Sequence, residues 1–476
     1  MSVRFVVPVA ALLALSACGE LGMNYAADVG ITPGGSQDIG FARGLIADGQ
    51  IPDQEHFTAE GLFSEHDLPL SGDPCEALLC PRTAATIHRP ANGDDKVLVQ
   101  LGFGTNVDPA TFVRDSQDLV FLVDTSGSMS GEKLELAKDG MLSMLDQLGE
   151  RDRAALVEFG SRAKLLERAR DMDDGGKSRL RSAIEALETN GSTDMESGMR
   201  KAYDQLENDF DGGQRLMIFS DAQPNTGLTA ESDFVSLVRS KAEEGVGTTF
   251  FGIGNDLGTE LADVISKVRG GSFHTLTSDS GERLFGDEFD YLVTPVAYDL
   301  EVRMSGVESA RLGDEMFGAP VDGDEVTFGA STLFLSSRQG GMGATFDLVP
   351  DAPMTFGAMS ISYVPVGEDT PVEQSVAVAW KGGAFEGEAD DEGVYKMDAL
   401  VYEYKALVAA AEACDGTIPV EDARAAVAHA RGALAERGEL LGGDAAFAVE
   451  DELMGALDAL LAAESLTCAP ADAYYY

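Results

Sequence analysis

The apolar positions of this chain change texture three times. Between residues 114 and 293, short unbroken apolar runs alternate with segments whose apolar residues recur every three or four positions. Leu119–Val123, Ala154–Phe159, Arg215–Phe219 and Thr248–Ile253 belong to the first kind, which suits strands buried on both faces of a parallel sheet. Leu134, Ala137, Met141, Leu145 and Leu148 share one face of a helix predicted over Lys133–Leu148. Lys177–Leu187, Met195–Asn208, Ser232–Glu244, Glu260–Val268 and Gly281–Leu292 read as further helices. Ala163–Arg168 reads as a hairpin or edge strand and Ser272–Leu276 as a short strand. The alternation predicts a doubly wound, mostly parallel sheet with helices on both faces over 114–294.

From Pro295 the runs shorten and are broken by Gly, Pro and Asp. Val296–Met304, Glu325–Phe328, Thr332–Leu335, Gly343–Leu348, Met354–Tyr363 and Gln374–Trp380 predict an antiparallel β-sandwich over 295–390. Lys96–Thr105 is β-rich and stands alone before the α/β unit. It is assigned to the same sandwich, which makes the α/β unit an insertion. Residues 391–476 are Ala-rich. Helices over Lys396–Ala411, Val420–Arg437 and Phe447–Ser465 predict a small antiparallel helical unit. Residues 41–113 form an N-terminal region, irregular through residue 90 apart from a short helix over Arg43–Ile51, and the Gly-rich 18–40 reads as a flexible tether. The fold class is thus multidomain, α/β plus β, with a helical end.

Arg4 precedes an apolar segment, Phe5–Leu15, too short to span a bilayer and suited to a secretory signal over 1–17. Leu15-Ser16-Ala17-Cys18 resembles the bacterial lipobox, which implies lipidation of Cys18, a membrane anchor without a spanning helix, and a place in the bacterial cell envelope on the periplasmic or surface side. The remaining cysteines, Cys75, Cys80, Cys414 and Cys468, are even in number, as disulfides of an exported chain require. The favoured pairs are Cys75–Cys80 and Cys414–Cys468; a zinc site is the alternative. Net charge is −48, from 34 basic and 82 acidic residues. That excess disfavours nucleic acid and anionic membrane surfaces. Acid clusters such as Asp322–Glu325 read as solvated loops. His56, His66 and His88 read as structural or surface residues.

Chemistry gathers where the first apolar run ends. Leu119–Val123 leads into Asp124, Thr125, Ser126, Gly127 and Ser128, so the strand carries a carboxylate and two hydroxyls to the carboxyl end of the sheet. These are hard oxygen donors, suited to Mg²⁺ and alternatively to Mn²⁺ or Ca²⁺. Gly191-Ser192-Thr193-Asp194 enters a later helix, and Phe219-Ser220-Asp221-Ala222 ends another apolar strand. If those strands are parallel neighbours, Thr193 and Asp221 reach the same edge. With DTSGS at 124–128, Thr193 and Asp221 in this order, and Gly252-Ile253-Gly254 ending a later strand, the segment resembles the von Willebrand factor A domain family. The resemblance implies a metal-ion-dependent adhesion site. In it Ser126 and Ser128 ligate the metal, Thr193 does so directly or through water, and Asp124 and Asp221 supply charge. A carboxylate from a partner's Asp or Glu completes the shell. The wider layout is similar to bacterial lipoproteins that carry this domain, loosely including Gly40–Gly61.

The first functional reading is therefore a metal-dependent protein-binding module at the bacterial envelope, and not an enzyme. The acidic surface then requires a locally basic partner or high ionic strength. Two alternatives stand beside it: a metal-assisted hydrolase, and a scaffold with an unoccupied metal site. No G-x-S-x-G, HExxH or P-loop motif supports the hydrolase.

Overall fold

The computed structural model describes residues 30–33, 36–37, 39–72, 75–91, 93–108, 111–221, 231–254, 264–277, 284–286, 288–304, 312–314, 321–322, 325–347, 355–379 and 392–470. The signal-like segment, Cys18 and residues 260–263 of the helix expected over Glu260–Val268 lie outside them; Val264–Ser266 of that helix are helical.

Strands β1 (Gly30–Pro33) and β2 (Ser36–Gln37) precede helices α1 (Ile39–Ala47) and α2 (Ala59–Ser64) and the pair β3 (Cys80–His88) and β4 (Lys96–Gly104). The α/β unit begins with β5 (Gln117–Asp124), α3 (Glu132–Gln147), β6 (Arg153–Phe159), β7 (Lys164–Asp171), α4 (Asp174–Glu185) and α5 (Met195–Tyr203). It continues with β8 (Gly213–Ser220), α6 (Glu231–Glu243), β9 (Val246–Ile253) and β10 (Gly271–Leu276). Strands β11 (Pro295–Met304), β12 (Leu312–Asp314), β13 (Val321–Asp322), β14 (Glu325–Ser336), β15 (Gly341–Asp347), β16 (Thr355–Pro365) and β17 (Val372–Ala379) follow. Helices α7 (Glu392–Cys414), α8 (Val420–Leu440) and α9 (Ala445–Leu461) close the described chain.

The central sheet has the order β2-β10-β9-β8-β5-β6-β7. Its strands are parallel except β7, which pairs antiparallel with β6 at the edge. Every residue of β5 and β9 is buried, as their unbroken apolar runs demand. Cores lie on both faces. One is built by α3, whose Leu134, Ala137, Met141 and Leu145 pack over Phe121, Phe219 and Phe251. The other is built by α5 and α6 over Val120, Leu122 and Ile218. Phe219 stacks on Phe251 with ring centroids 4.8 Å apart. Truncating such a side chain to Ala costs about 3–5 kcal/mol.

The β region forms two sheets, β1-β14-β11-β16-β17 with β13 beside β14, and β12-β15-β4-β3. They enclose a common core that includes Val97, Val99, Leu101, Val302, Leu333, Phe346 and Ile361. Strand β4, before the α/β unit, pairs in register with β15, after it: Leu101 faces Met342 and Val97 faces Phe346. The α/β unit therefore lies between strands of one sandwich.

Several sequence expectations need correction. The stretch 80–88, read as irregular, is β3; its small and polar residues alternate in burial and carry no long apolar run. Residues 30–33 and 36–37, the end of the expected tether, are strands paired with β14 and β10. The two strands expected over 325–335 are one, β14, which runs through Gly329. Helix α5 stops at Tyr203, short of Asn208. Of the helix expected over Gly281–Leu292, Leu284–Phe285 and Phe289–Leu292 are helical among the described residues.

The C-terminal helices do not form a core of their own. Helices α7, α8 and α9 share one with α1 and α2, including Ile39, Leu62, Phe63, Leu400, Val427 and Leu457. Ile51 N–H donates to Thr467 O at 2.8 Å, and Ala469 N–H donates to Ile51 O at 2.8 Å. Disulfides join Cys75 to Cys80 and Cys414 to Cys468. No helix among the described residues is long and apolar enough to cross a membrane.

Candidate metal-binding site

Strands β5 and β8 are parallel neighbours, with Val123 opposite Phe219. Asp124 ends the first and Asp221 follows the second, so their carboxylates arrive at one edge, and both are fully buried. After Asp124 the chain makes a 3₁₀ turn over Gly127–Met129, with Ser126 at its N-cap. It then enters α3 through Gly131, whose φ of 80° suits glycine. The second loop is clamped to the first. Gly127 N–H donates to Gly191 O at 3.1 Å, and Asn190 N–H donates to Thr125 O. Thr125 is itself anchored on β6 through its N–H to Phe159 O at 2.8 Å. Gly191 also has φ 80°, and a Cβ there would strike Ser161. Ser192 N–H donates to Ser161 Oγ at 3.0 Å, and Asp194 N–H donates to Gly160 O at 2.9 Å. These bonds hold Thr193, buried, beside the β5 loop.

The polar groups are arranged around the acids. Ser126 N–H donates to Asp124 Oδ1 at 2.8 Å, an Asx-type turn. Ser220 Oγ–H donates to Asp124 Oδ2 at 2.7 Å. The hydroxyls of Ser126 and Ser128 lie 2.9 Å apart, with Ser126 buried and Ser128 exposed. Lys133 Nζ donates to Asp221 Oδ2 at 3.1 Å. Asp221 Oδ1 is buried without a hydrogen-bond partner. Burial pushes the Asp124 carboxyl up to about 6, opposed by the hydrogen bonds from Ser220 and Ser126 and assisted by the charge of Asp221.

All five residues singled out from the sequence thus stand at one sheet edge, Asp124 at the end of β5 and the others on the loops beside it. Among the described residues, no three His, Cys, Asp or Glu side chains gather in metal-binding geometry. A cation here would have to rely on hydroxyls. Two hydroxyls, two carboxylates and an orphaned buried carboxylate oxygen fit a hard divalent ion. Sequence reasoning missed two participants. Ser220 could have been found, because it directly precedes Asp221 at the strand end. Lys133 had no local signal, since its partner is far along the chain.

Residues 118–285 match the model of the von Willebrand factor type A domain. This segment is a von Willebrand factor type A domain. The uncharacterised protein YfbK of Escherichia coli (strain K12) is 28% identical over 257 residues, covering 50% of this chain and 44% of that protein. The chain spans less than half the length of such curated relatives. A von Willebrand factor type A protein from Catenulispora acidiphila is similar in structure, with TM-score 0.47 and 13% identity, over 83% of this chain and 99% of that one. Proximal thread matrix protein 1 from the mussel byssus, solved with a zinc-occupied MIDAS motif, has TM-score 0.31 and 23% identity over 37% of this chain and 46% of its own.

His56, His66 and His88 lie elsewhere, and His274 stacks on Phe251 within the central sheet. His56 Nδ1 accepts from Asp53 N–H at 3.0 Å in a capping box. His66 pairs with Glu450 at 3.0 Å and His88 with Asp398 at 2.8 Å.

Proposed function

We propose that the von Willebrand factor A domain binds protein partners through a divalent cation held at the ends of β5 and β8. The observation that carries this is the pair of fully buried carboxylates on adjacent parallel strands, one with an orphaned oxygen, next to the Ser126–Ser128 hydroxyl pair. Ser126 and Ser128 offer direct ligands, Thr193 a third oxygen, and Asp124 and Asp221 balance charge. When bound, the ion supplies a Lewis-acidic point for an Asp or Glu carboxylate of a partner. The residues do the rest: the clamped loops pre-set the oxygens, and burial of the acids keeps competing water out. Mg²⁺ suits this hard oxygen set, with Mn²⁺ and Ca²⁺ as alternatives. Binding is preferred to hydrolysis because His56, His66 and His88 are committed to caps and ion pairs elsewhere. We place the protein at the bacterial envelope, tethered through a lipidated Cys18, with the two disulfides suiting an exported chain.

Titrating Mg²⁺ into the purified protein while following thermal unfolding tests the metal. The wild type should gain stability and Asp124→Ala should not; a flat wild-type response refutes the reading. Asp124→Ala should also lose partners captured from envelope extracts. A Cys18→Ser variant that stays with membranes would rule out the lipid anchor.

A further inference from the structure

The loop that carries Thr193 is held from two sides. On the β5 side, Asn190 N–H donates to Thr125 O, Asn190 Nδ2–H donates to Thr125 Oγ1 at 3.4 Å, and Gly191 O accepts from Gly127 N–H at 3.1 Å. On the β6 side, Asp194 N–H donates to Gly160 O at 2.9 Å. There Ser161 Oγ also accepts from Ser192 N–H at 3.0 Å and from Ser192 Oγ–H at 3.3 Å. Thr193 lies between these anchor points. The two backbones meet through glycines: a Cβ on Gly160 would collide with Asn190 O, and a Cβ on Gly191 with Ser161 Oγ. The contact is therefore built for close approach, and the Ser161 hydroxyl is the side chain that fills it.

Gly191 connects the two sides. Its φ of 80° is open to glycine but not enforced by it, so the neighbouring bonds must hold it there. The Ser161–Ser192 bonds fix the residue after Gly191, and the carbonyl of Gly191 fixes Gly127, which stands between Ser126 and Ser128. Ser161 is exposed, so water can satisfy Ser192 N–H once the hydroxyl is gone. Water is not anchored to β6, however, and the direction of the bond is lost with the side chain. We propose that Ser161 is a positioning residue for the metal site. It acts through Ser192 and Gly191 to set the spacing between Thr193 and the Ser126–Ser128 hydroxyl pair, and does not itself touch the ion. This deepens the metal-binding reading above and rests on it. Outer groups that orient ligands in this way contribute to metal affinity.

The test compares wild type, Ser161→Ala and Ser161→Thr as full chains. The first readout is amide hydrogen exchange in chelator, read by mass spectrometry on peptides spanning 124–131 and 190–194. Ser161→Ala should speed exchange in both about fivefold, because the Gly127 amide loosens with the loop it is bonded to. The second readout is calorimetric titration with Mg²⁺. Ser161→Ala should bind it about fivefold more weakly, less than the loss of a group bonded directly to a ligand costs. Ser161→Thr keeps the hydroxyl and should return both readouts to within about twofold of wild type. Thermal unfolding of Ser161→Ala in chelator should fall by no more than about 3 °C, as for one exposed hydrogen bond. Faster exchange confined to 190–194 overturns the inference. So does a Ser161→Ala variant that binds Mg²⁺ as tightly as wild type, or a Ser161→Thr variant as weak as Ser161→Ala. A wild type that takes up no Mg²⁺ overturns the metal reading itself, and exchange in chelator then still decides whether Ser161 sets the two loops.

Discussion

Two regions of this molecule bury acids, and they treat them differently. In the helical core, Asp398 on α7 is fully buried and meets His88 at 2.8 Å and Arg437 at 2.7 Å. Nearby, Glu450 on α9 meets His66 and Arg43, and Arg43 also meets Glu65. At the sheet edge, Asp124 and Asp221 are equally buried, but their partners are hydroxyls, one amide and a lysine at the rim. Asp398 and Glu450 sit within helices, facing cationic side chains fixed by other elements. Asp124 and Asp221 sit where strands stop, with compensation that is incomplete. Burial alone therefore does not distinguish a structural acid from one placed for a ligand: Asp398 has both oxygens held by basic side chains from other elements, whereas Asp221 keeps one oxygen without a partner.

The sharpest way to break this contrast is to remove one acid from each region. Asp398→Ala leaves Arg437 buried without its carboxylate and should cost about 3–5 kcal/mol in urea unfolding. Asp124→Ala in chelator should cost far less, because its ionised form is already disfavoured by burial. Equal losses would erase the distinction. Replacing Cys414 and Cys468 by Ser opens a loop with sequence separation 54 and should lower the stability of the helical core by up to about 4 kcal/mol, read by circular dichroism. The metal region should respond to ligand instead: saturating Mg²⁺ at about a hundred times its Kd should add about 2.7 kcal/mol to the wild type and nothing to Asp221→Ala.

The smallest effect concerns Glu403, which sharpens the contrast from inside the helical core. Both its oxygens are buried, and burial, with the charge of Glu450 and a hydrogen bond to it, pushes its carboxyl well above the ordinary 4.5. Glu450 moves the other way. Burial opposes its ionisation, yet the hydrogen bond from His66 and the charge of Arg43 outweigh that and hold it below the ordinary range. The signs follow from linkage. The Glu403 contribution is fully present below about 4.5 and declines as pH rises towards its folded value. The Glu450 contribution is present above about 4.5 and is lost as pH falls below it. Glu403→Gln should therefore stabilise the protein at pH 7 and flatten thermal stability on the alkaline side. An unchanged pH profile would show that Glu403 finds compensation elsewhere.

Much of the α/β unit was legible, because Leu119–Val123 and Thr248–Ile253 can only be strands buried on both faces. The site was legible because its donors lie at strand ends, where period and polarity change together. The partnership of α1 and α2 with α7 to α9 was not legible, since an amphipathic stripe says that a face is covered and not by what. Glu403 and Glu450 look like solvent-facing residues in an Ala-rich helix. Only the tertiary approach of His66 and Arg43 makes Glu450 tolerable inside. Lys133 is hidden for the same reason, being an ordinary lysine until β8 brings Asp221 to it.

The sandwich and helical core also dictate an order of assembly. Strand β4 cannot acquire its neighbour β15 until the whole α/β unit has been made, and Ile51 must wait for Thr467 and Ala469. Such distant pairings are slow to close. During synthesis or export, the α/β unit can complete its own sheet almost entirely while the outer layers are still waiting for their last segments. Chain breakage near the C-terminus would therefore leave the von Willebrand factor A fold in place but strip the cover from α1 and α2. The apolar surface exposed there would mark an incomplete molecule for proteolysis.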